Sequence, residues 1–298
     1  MKSVKELITN NNLINVGETI GVAVSGGKDS MSLLHYLNTL SKELNFKIAA
    51  ITIDHNLREN SAKDAAFVVD YCSKSDIRVY MYKVNVKKLS EDKGLTIEEA
   101  ARECRYKVFN ALISKGIVNK VALGHHLLDQ VETVLLNIFR GTGLSGAAGM
   151  DVVRDGVFIR PLLKTTKREI LAYIKEHKIP FVEDETNLNN DYSRNFIRNE
   201  VLPLIQKKWP NVENNIFNFA QTCRQDDEYI LNNLNDNSVI YEKGNVSIPL
   251  NYFIYPNAIV FRIVLKALKN IGVATDIERK HLAIIKTFAG SGESFNNC

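Results

Sequence analysis

Two hydroxyls, two glycines, a lysine and an aspartate stand together in the stretch AVSGGKDS, residues 23–30. An apolar run from Ile20 to Val24 leads into it, and a helical pattern starts at Ser30. The start of a helix offers unsatisfied N–H groups and the positive end of the helix dipole. Gly26 and Gly27 let the backbone approach a ligand without a Cβ in the way, Lys28 adds a cation, and Ser25 and Ser30 add hydroxyls. The combination suits a phosphate or pyrophosphate. It is not a Walker loop, because Val22 stands where the first glycine belongs and Asp29 follows Lys28. The dinucleotide fingerprint GxGxxG is absent as well. The same residues would also make a tight strand-to-helix turn with Asp29 as a capping carboxylate. An acid beside a phosphate cradle is repulsive unless a cation lies between them, and magnesium on a nucleoside triphosphate supplies one. Asp29 is therefore the candidate magnesium contact.

Other pairs with chemical potential follow. His125 and His126 end a strand-like run, where a neutral-range titrating group could handle protons. Asp129 and Glu132 are one turn apart on the next helix; they could bind magnesium or orient an amine, or simply bring negative charge to a helix start. Glu98, Arg102, Arg105 and Phe109 share one helical face, with Ile97, Ala101, Cys104 and Val108 as the adjoining apolar stripe. The arginines are either surface partners of Glu98 or contacts for phosphate or substrate. Arg194 and Arg198, one turn apart if helical, could meet an RNA phosphate or the nucleotide, or serve the surface.

These groups need elements to bring them together. Strands are expected at Thr19–Val24, Lys47–Ile53, Arg78–Val84 and Lys120–Gly124. Helices are expected at Ser30–Lys42, Ser61–Lys74, Thr96–Lys115, Asp129–Arg140 and Thr166–His177. This alternation predicts an α/β fold: a parallel, doubly wound sheet of Rossmann-like type with crossover helices. Right-handed crossovers place the strand C-termini, and the polar clusters after them, along one edge. Val182–Pro203 reads as a long ordered loop feeding a helix from Phe196, and strands are expected to disappear after Pro203. Residues 1–205 are read as the catalytic domain and 206–298 as a second, mostly helical domain.

Composition sets looser bounds. With 298 residues, 45% of them apolar and 24% charged, the chain is an ordinary globular protein. It has no apolar run long enough to span a membrane, and its four cysteines form no CxxC pair, so a cytoplasmic protein is expected. A homodimer is allowed for. The excess of basic residues is mild, +4 overall. It peaks in residues 154–210, with 11 Lys and Arg against 8 Asp and Glu, and permits a nucleic-acid partner without demanding one.

The loop AVSGGKDS after a strand resembles the pyrophosphate-binding loop of the N-type ATP pyrophosphatases, which cleave ATP between the α and β phosphates and adenylate a carbonyl oxygen. Further blocks are similar, in order and spacing, to those of the tRNA(Ile)-lysidine synthetase family. They are DHNLRENS (54–61), EEAARECRYKVF (98–109), GHHLLDQVET (124–133), RGTGLSGAAGM (140–150), RPLL (160–163) and DETNLNNDYSRNFIRNEVLP (184–203). The resemblance implies ATP and Mg²⁺ as cofactors, with free L-lysine and an isoleucine tRNA with a CAU anticodon as partners. The implied reaction adenylates the C2 oxygen of the wobble cytidine, and the lysine ε-amine then displaces AMP. Asp29, Arg102, Arg105, His125, Asp129 and Glu132 become the expected catalytic set. Residues Ser25 to Ser30 become the nucleotide loop, and Arg194 and Arg198 the RNA contacts. The family block usually carries two acids before the glutamine, whereas here Leu128 stands in the first position and Asp129 keeps the second. Relatives continue into a further tRNA-binding domain, so the C-terminal part is read as shortened or incomplete. A tRNA 2-thiolation enzyme on the same fold and a non-catalytic tRNA-binding relic are the competing readings.

Overall fold

The computed structural model describes residues 1–57, 61–183, 193–234, 238–242, 245–272 and 279–291. Residues 184–192 of the expected loop, part of the DHNLRENS block and the last seven residues lie outside them. The chain divides into two compact units, Met1–Gln221 and Thr222–Cys298. The division falls later than residue 205 because Leu202 and Ile216 belong to an apolar cluster of the first unit.

In the first unit, β1 (Thr19–Ala23), β2 (Lys47–Asp54), β3 (Arg78–Lys83), β4 (Lys120–Ala122), β5 (Val153–Arg154) and β6 (Phe158–Ile159) form one sheet in the order β3-β2-β1-β4-β6-β5. The first five strands in that order are parallel, and only β5 runs antiparallel to its neighbour β6. The expected parallel, doubly wound sheet is therefore present. The order reverses between β1 and β4, which makes their C-terminal ends the switch point where open α/β sheets take ligands. The register Gly21↔Val121 and Val22↔Ala122 sets those two ends side by side.

The central strands β1, β2 and β4 are largely buried. Ile20, Val22 and Ala50 pack with α1 (Lys2–Asn10), α2 (Lys28–Leu44), α3 (Ser61–Lys74) and α8 (Lys167–His177) through Leu7, Met31, Leu34, Val68 and Ile170. Ile51, Val121 and Phe158 pack on the opposite face with Phe109 and Leu112 of α5 (Ile97–Ser114). Gly21 leaves room for this packing: a Cβ there would lie 2.6 Å from Ile51 Cδ1, and that side chain would have to shift. Thr96 caps α5 and Glu99 returns the bond to the Thr96 amide, so a capping box sets the start of the helix that carries Arg102 and Arg105. The buried stripe of α5 is Ala100, Cys104, Phe109 and Leu112; Ile97 is exposed, so the expected stripe is rotated by part of a turn.

α4 (Val86–Lys93) and the β5–β6 pair were not expected; β5 and β6 are two residues each, too short for a periodic signal. α6 (Leu127–Phe139) begins two residues before Asp129, and β4 ends at Ala122 rather than Gly124. α7 (Leu144–Ala147) follows α6; its loop is tied back by Gln130, which bonds the backbone of Ala148 and Met150. α9 (Ser193–Phe196) runs into a π-helical turn, Ile197–Val201, and then α10 (Leu202–Lys208) and α11 (Val212–Asn232).

In the second unit, α12 (Asn257–Asn270) and α13 (Arg279–Ser291) pack through Val260, Val264 and Leu282. A hairpin of β7 (Ile240–Glu242) and β8 (Asn245–Ser247) corrects the expectation that strands disappear after Pro203. Its strands are three residues long and mostly exposed, so they carry no apolar alternation to read.

Candidate active site

β1 delivers Ser25–Gly27 to the start of α2. Gly26 has φ +89°, in the left-handed region that favours glycine, and Gly27 caps α2 in an extended conformation. The loop is braced by its own hydroxyls. Ser30 Oγ donates to the Gly27 carbonyl at 3.0 Å, lies 3.2 Å from Ser25 Oγ, and accepts from the Ser25 amide. The Gly26 carbonyl accepts from the Val182 amide at 2.9 Å, and Lys28 pairs with Glu183 at 3.1 Å and lies over the Phe181 ring. Gly26 and Lys28 thus turn toward residues 181–183. Ser25, Gly27, Asp29 and Ser30 line a cavity of about 400 Å³.

The loop after β4 closes on this one. The Gly124 Cα packs against the Asp29–Ser30 backbone, where an added Cβ would stand 3.4 Å from the Ser30 amide nitrogen, in ordinary contact. His126 caps α6, and its amide donates to Asp129 Oδ2 at 2.9 Å. Its buried ring stands between two acids, with Nε2 3.7 Å from Asp29 and Nδ1 3.6 Å from Asp129. Burial raises the Asp29 pKa, with Asp129 adding to the rise and His126 opposing it. Burial also pushes Asp129 up, but His126, through its ring and its amide, together with His125 and Arg198, holds it below its ordinary value.

Arg198, on the π-helical turn, reaches both acids of α6. It bonds Asp129 Oδ1 at 3.0 Å and Glu132 through Nε and Nη2. Burial raises Glu132, against the lowering effect of Arg198. Arg194, one turn earlier, donates to Thr133 Oγ1 at 3.3 Å. Leu128 packs with Val131, Ile197 and Leu202, and so seats the turn that carries Arg198 against α6.

The far wall of the cavity comes from β2 and α5. Arg102 and Arg105 line it, both exposed to solvent, alongside Tyr106, Phe109 and His55. His125 lines it from the β4 side. Arg160, which directly follows β6, donates its Nε–H to His125 Nδ1 at 3.3 Å.

The expected residues therefore form two joined groups. Ser25, Gly27, Asp29, Ser30, Arg102, Arg105 and His125 share the cavity. Asp129, Glu132 and Arg198 form an ion cluster, joined to Asp29 through His126. Arg198 was expected at an RNA phosphate; here its guanidinium is committed to two carboxylates, which leaves Arg194 as the more available cation of the pair. Glu98 is exposed and is not part of the cavity wall. His126 and Arg160 are central here and received no definite role from the sequence. The paired histidines were a visible signal for the first; for Arg160 the only cue was its place in RPLL.

A family model described as a PP-loop domain matches residues 1–205. The tRNA(Ile)-lysidine synthase of Clostridioides difficile (strain 630) is 38% identical over 283 residues, covering 92% of this chain and 61% of that protein. That of Bacillus subtilis (strain 168) is 38% identical over 257 residues, covering 84% of this chain and 54% of that protein. The chain thus spans about three fifths of the length of the curated relatives it matches. Among solved structures, the U34-tRNA thiolase NcsA from Methanococcus maripaludis, with its 4Fe–4S cluster, superposes with a TM-score of 0.60 at 17% identity over 79% of each chain, a likeness of fold. The sheet with its switch point, the glycine loop on that point and the match over well over half of its length together show that this chain belongs to the PP-loop family.

Proposed function

We propose that this chain carries the ATP-dependent chemistry of a tRNA(Ile)-lysidine synthetase. ATP adenylates the C2 oxygen of the wobble cytidine in an isoleucine tRNA with a CAU anticodon, and the ε-amine of free L-lysine displaces AMP. The observation that carries the reading is the placement of the His126 ring between Asp29 and Asp129, 3.7 and 3.6 Å from their carboxylates. It sets a loop that suits phosphate close to an acid suited to an ammonium. The names and the 38% identity of the curated relatives support the same reading.

Each residue then has a task. The amides at the start of α2 and the Ser25 and Ser30 hydroxyls receive the pyrophosphate. Asp29, a carboxylate open to the cavity beside that cradle, fits magnesium held mainly by phosphate oxygens, which needs only one or two protein carboxylates. The metal would neutralise charge on the departing pyrophosphate. Arg102 and Arg105 face the same space and suit phosphate or the target nucleotide. Asp129, which keeps part of its carboxylate exposed, would hold the lysine ammonium, while the fully buried Glu132 fixes Arg198 beside it; the amine must shed its proton to attack. Arg194 suits a tRNA phosphate. An enzyme of tRNA modification is expected in the cytoplasm. Among the described helices none is long and apolar enough to cross a membrane, and Cys72, Cys104 and Cys223 are free thiols.

Product analysis of spent ATP tests the proposal. With lysine and tRNA present, AMP and pyrophosphate should appear together, and Asp29→Ala should slow their release by about 10²-fold or more. Accumulation of ADP and phosphate, or unchanged turnover in a folded Asp29→Ala protein, would overturn it.

A further inference from the structure

His125 and Arg160 follow neighbouring parallel strands. The pairing Ala122↔Ile159 and the bond from the Leu123 amide to the Ile159 carbonyl at 2.9 Å carry both residues to the same sheet edge. Arg160 is buried, with 4% of its surface exposed, and is anchored at the other end of its guanidinium by the Asp151 carbonyl. An arginine offers donors and no acceptor. The contact from Arg160 Nε to His125 Nδ1 therefore requires a lone pair on Nδ1. An imidazole whose Nδ1 accepts carries its single proton on Nε2. Among the described residues Nε2 has no bonding partner, and His125 lines the cavity beside Ser25, Asp29 and Arg105.

We infer that Arg160 is a positioning residue: it fixes His125 as the neutral Nε2–H tautomer and makes it a hydrogen-bond donor to a ligand oxygen in the cavity, not a base that takes up a proton. The surroundings agree. Burial, with Arg160, Arg194 and Arg105 adding to it and Asp129 opposing it, lowers His125 to about 4. A neutral imidazole donates one directed bond at any neutral pH, as a phosphoryl or carbonyl oxygen gaining charge requires. The identity of that oxygen rests on the function proposed above; the tautomer does not.

The test is the ¹⁵N–¹H spectrum of histidine side chains in the full chain, with the His125 signals among the six histidines assigned through His125→Asn. In the free protein, Nδ1 should resonate as a pyridine-type nitrogen and Nε2 as a pyrrole-type one, with no titration through neutral pH. Adding α,β-methylene ATP should shift the Nε2 proton downfield. Arg160→Met should give mixed tautomers and a titrating ring, with pyrophosphate release lowered about 10²-fold. Arg160→Lys, which keeps a cationic donor, should restore the single tautomer in part. An Nδ1–H tautomer or an imidazolium at neutral pH would overturn the inference, as would an Nε2 proton unmoved by the bound nucleotide. The wild-type spectrum decides even where Arg160→Met fails to fold. The expected spectrum in a chain that never releases pyrophosphate would count against the proposed function alone.

Discussion

Arg198 grips Glu132 with two parallel bonds, Nε to Oε1 at 2.5 Å and Nη2 to Oε2 at 3.1 Å, around a carboxylate with no exposed surface. A fork meeting a carboxylate in this way is geometrically specific. It also means that the acid expected to help hold a substrate ammonium is already neutralised from within the chain. Removing Arg198 would leave the Glu132 charge stranded in a low-dielectric interior, whereas removing Glu132 would leave Arg198 its bond to Asp129.

Arg198→Met should therefore cost about 3–5 kcal/mol of stability, because the Glu132 charge stays behind without its partner. The double variant Arg198→Met/Glu132→Leu should recover most of that loss, since buried ion pairs are often replaceable by apolar ones. Urea unfolding of the three proteins measures both. A loss below about 1 kcal/mol in Arg198→Met would place the pair among ordinary surface bridges.

Asp54, at the end of β2, gives a pH signature. It is buried, and burial raises its pKa; the Ser61 hydroxyl, the Asn56 amide, Lys83 and His55 more than reverse this, so its folded pKa lies below the ordinary value. A depressed carboxylate contributes stability that is complete above its unfolded pKa and lost as pH falls through the folded one. Asp54→Asn should destabilise the protein by roughly 1–3 kcal/mol at neutral pH. The gap to wild type should close below about pH 4. A gap that persists unchanged in acid would mean that the Asn variant fails by packing and not by charge.

The cysteines bear on the thiolation alternative. Burial pushes the Cys72 thiol up to about 11, and burial likewise raises Cys104 and Cys223. Thiolates, not thiols, carry sulfur chemistry. Iodoacetamide should leave all three unmodified in the folded protein and label them on unfolding, read by mass spectrometry. Rapid labelling of Cys72 or Cys104 in the native state would restore sulfur transfer as a serious reading.

The sheet was legible in the sequence because its strands and helices are long enough to show a period, and because Gly26, Gly27 and Asp29 mark the β1–α2 turn. The short pairs β5–β6 and β7–β8 were not, since two or three residues carry no alternation. Within the site, Asp29 could be chosen as an acid beside a phosphate loop, and Asp129 and Glu132 from their one-turn spacing. The partner of Glu132 could not: Arg198 is 66 residues away and meets it only because Leu128 packs against Ile197 and Leu202. The exchange of an expected acid for Leu128 thus has a packing role here. The Arg160–His125 contact spans 35 residues and depends on the pairing of β4 with β6, which no local pattern announces.

The proposed function has the glycine loop and Asp129 join lysine to a cytidine of tRNA at the expense of ATP. Mass analysis of nucleosides, after incubating the protein with ATP, L-lysine and an isoleucine tRNA bearing a CAU anticodon, tests it most directly. The account predicts that cytidine at the wobble position gains the mass of one lysine residue, only when ATP and lysine are both present. A sulfur-bearing nucleoside, or unmodified cytidine while ATP is consumed, would contradict it.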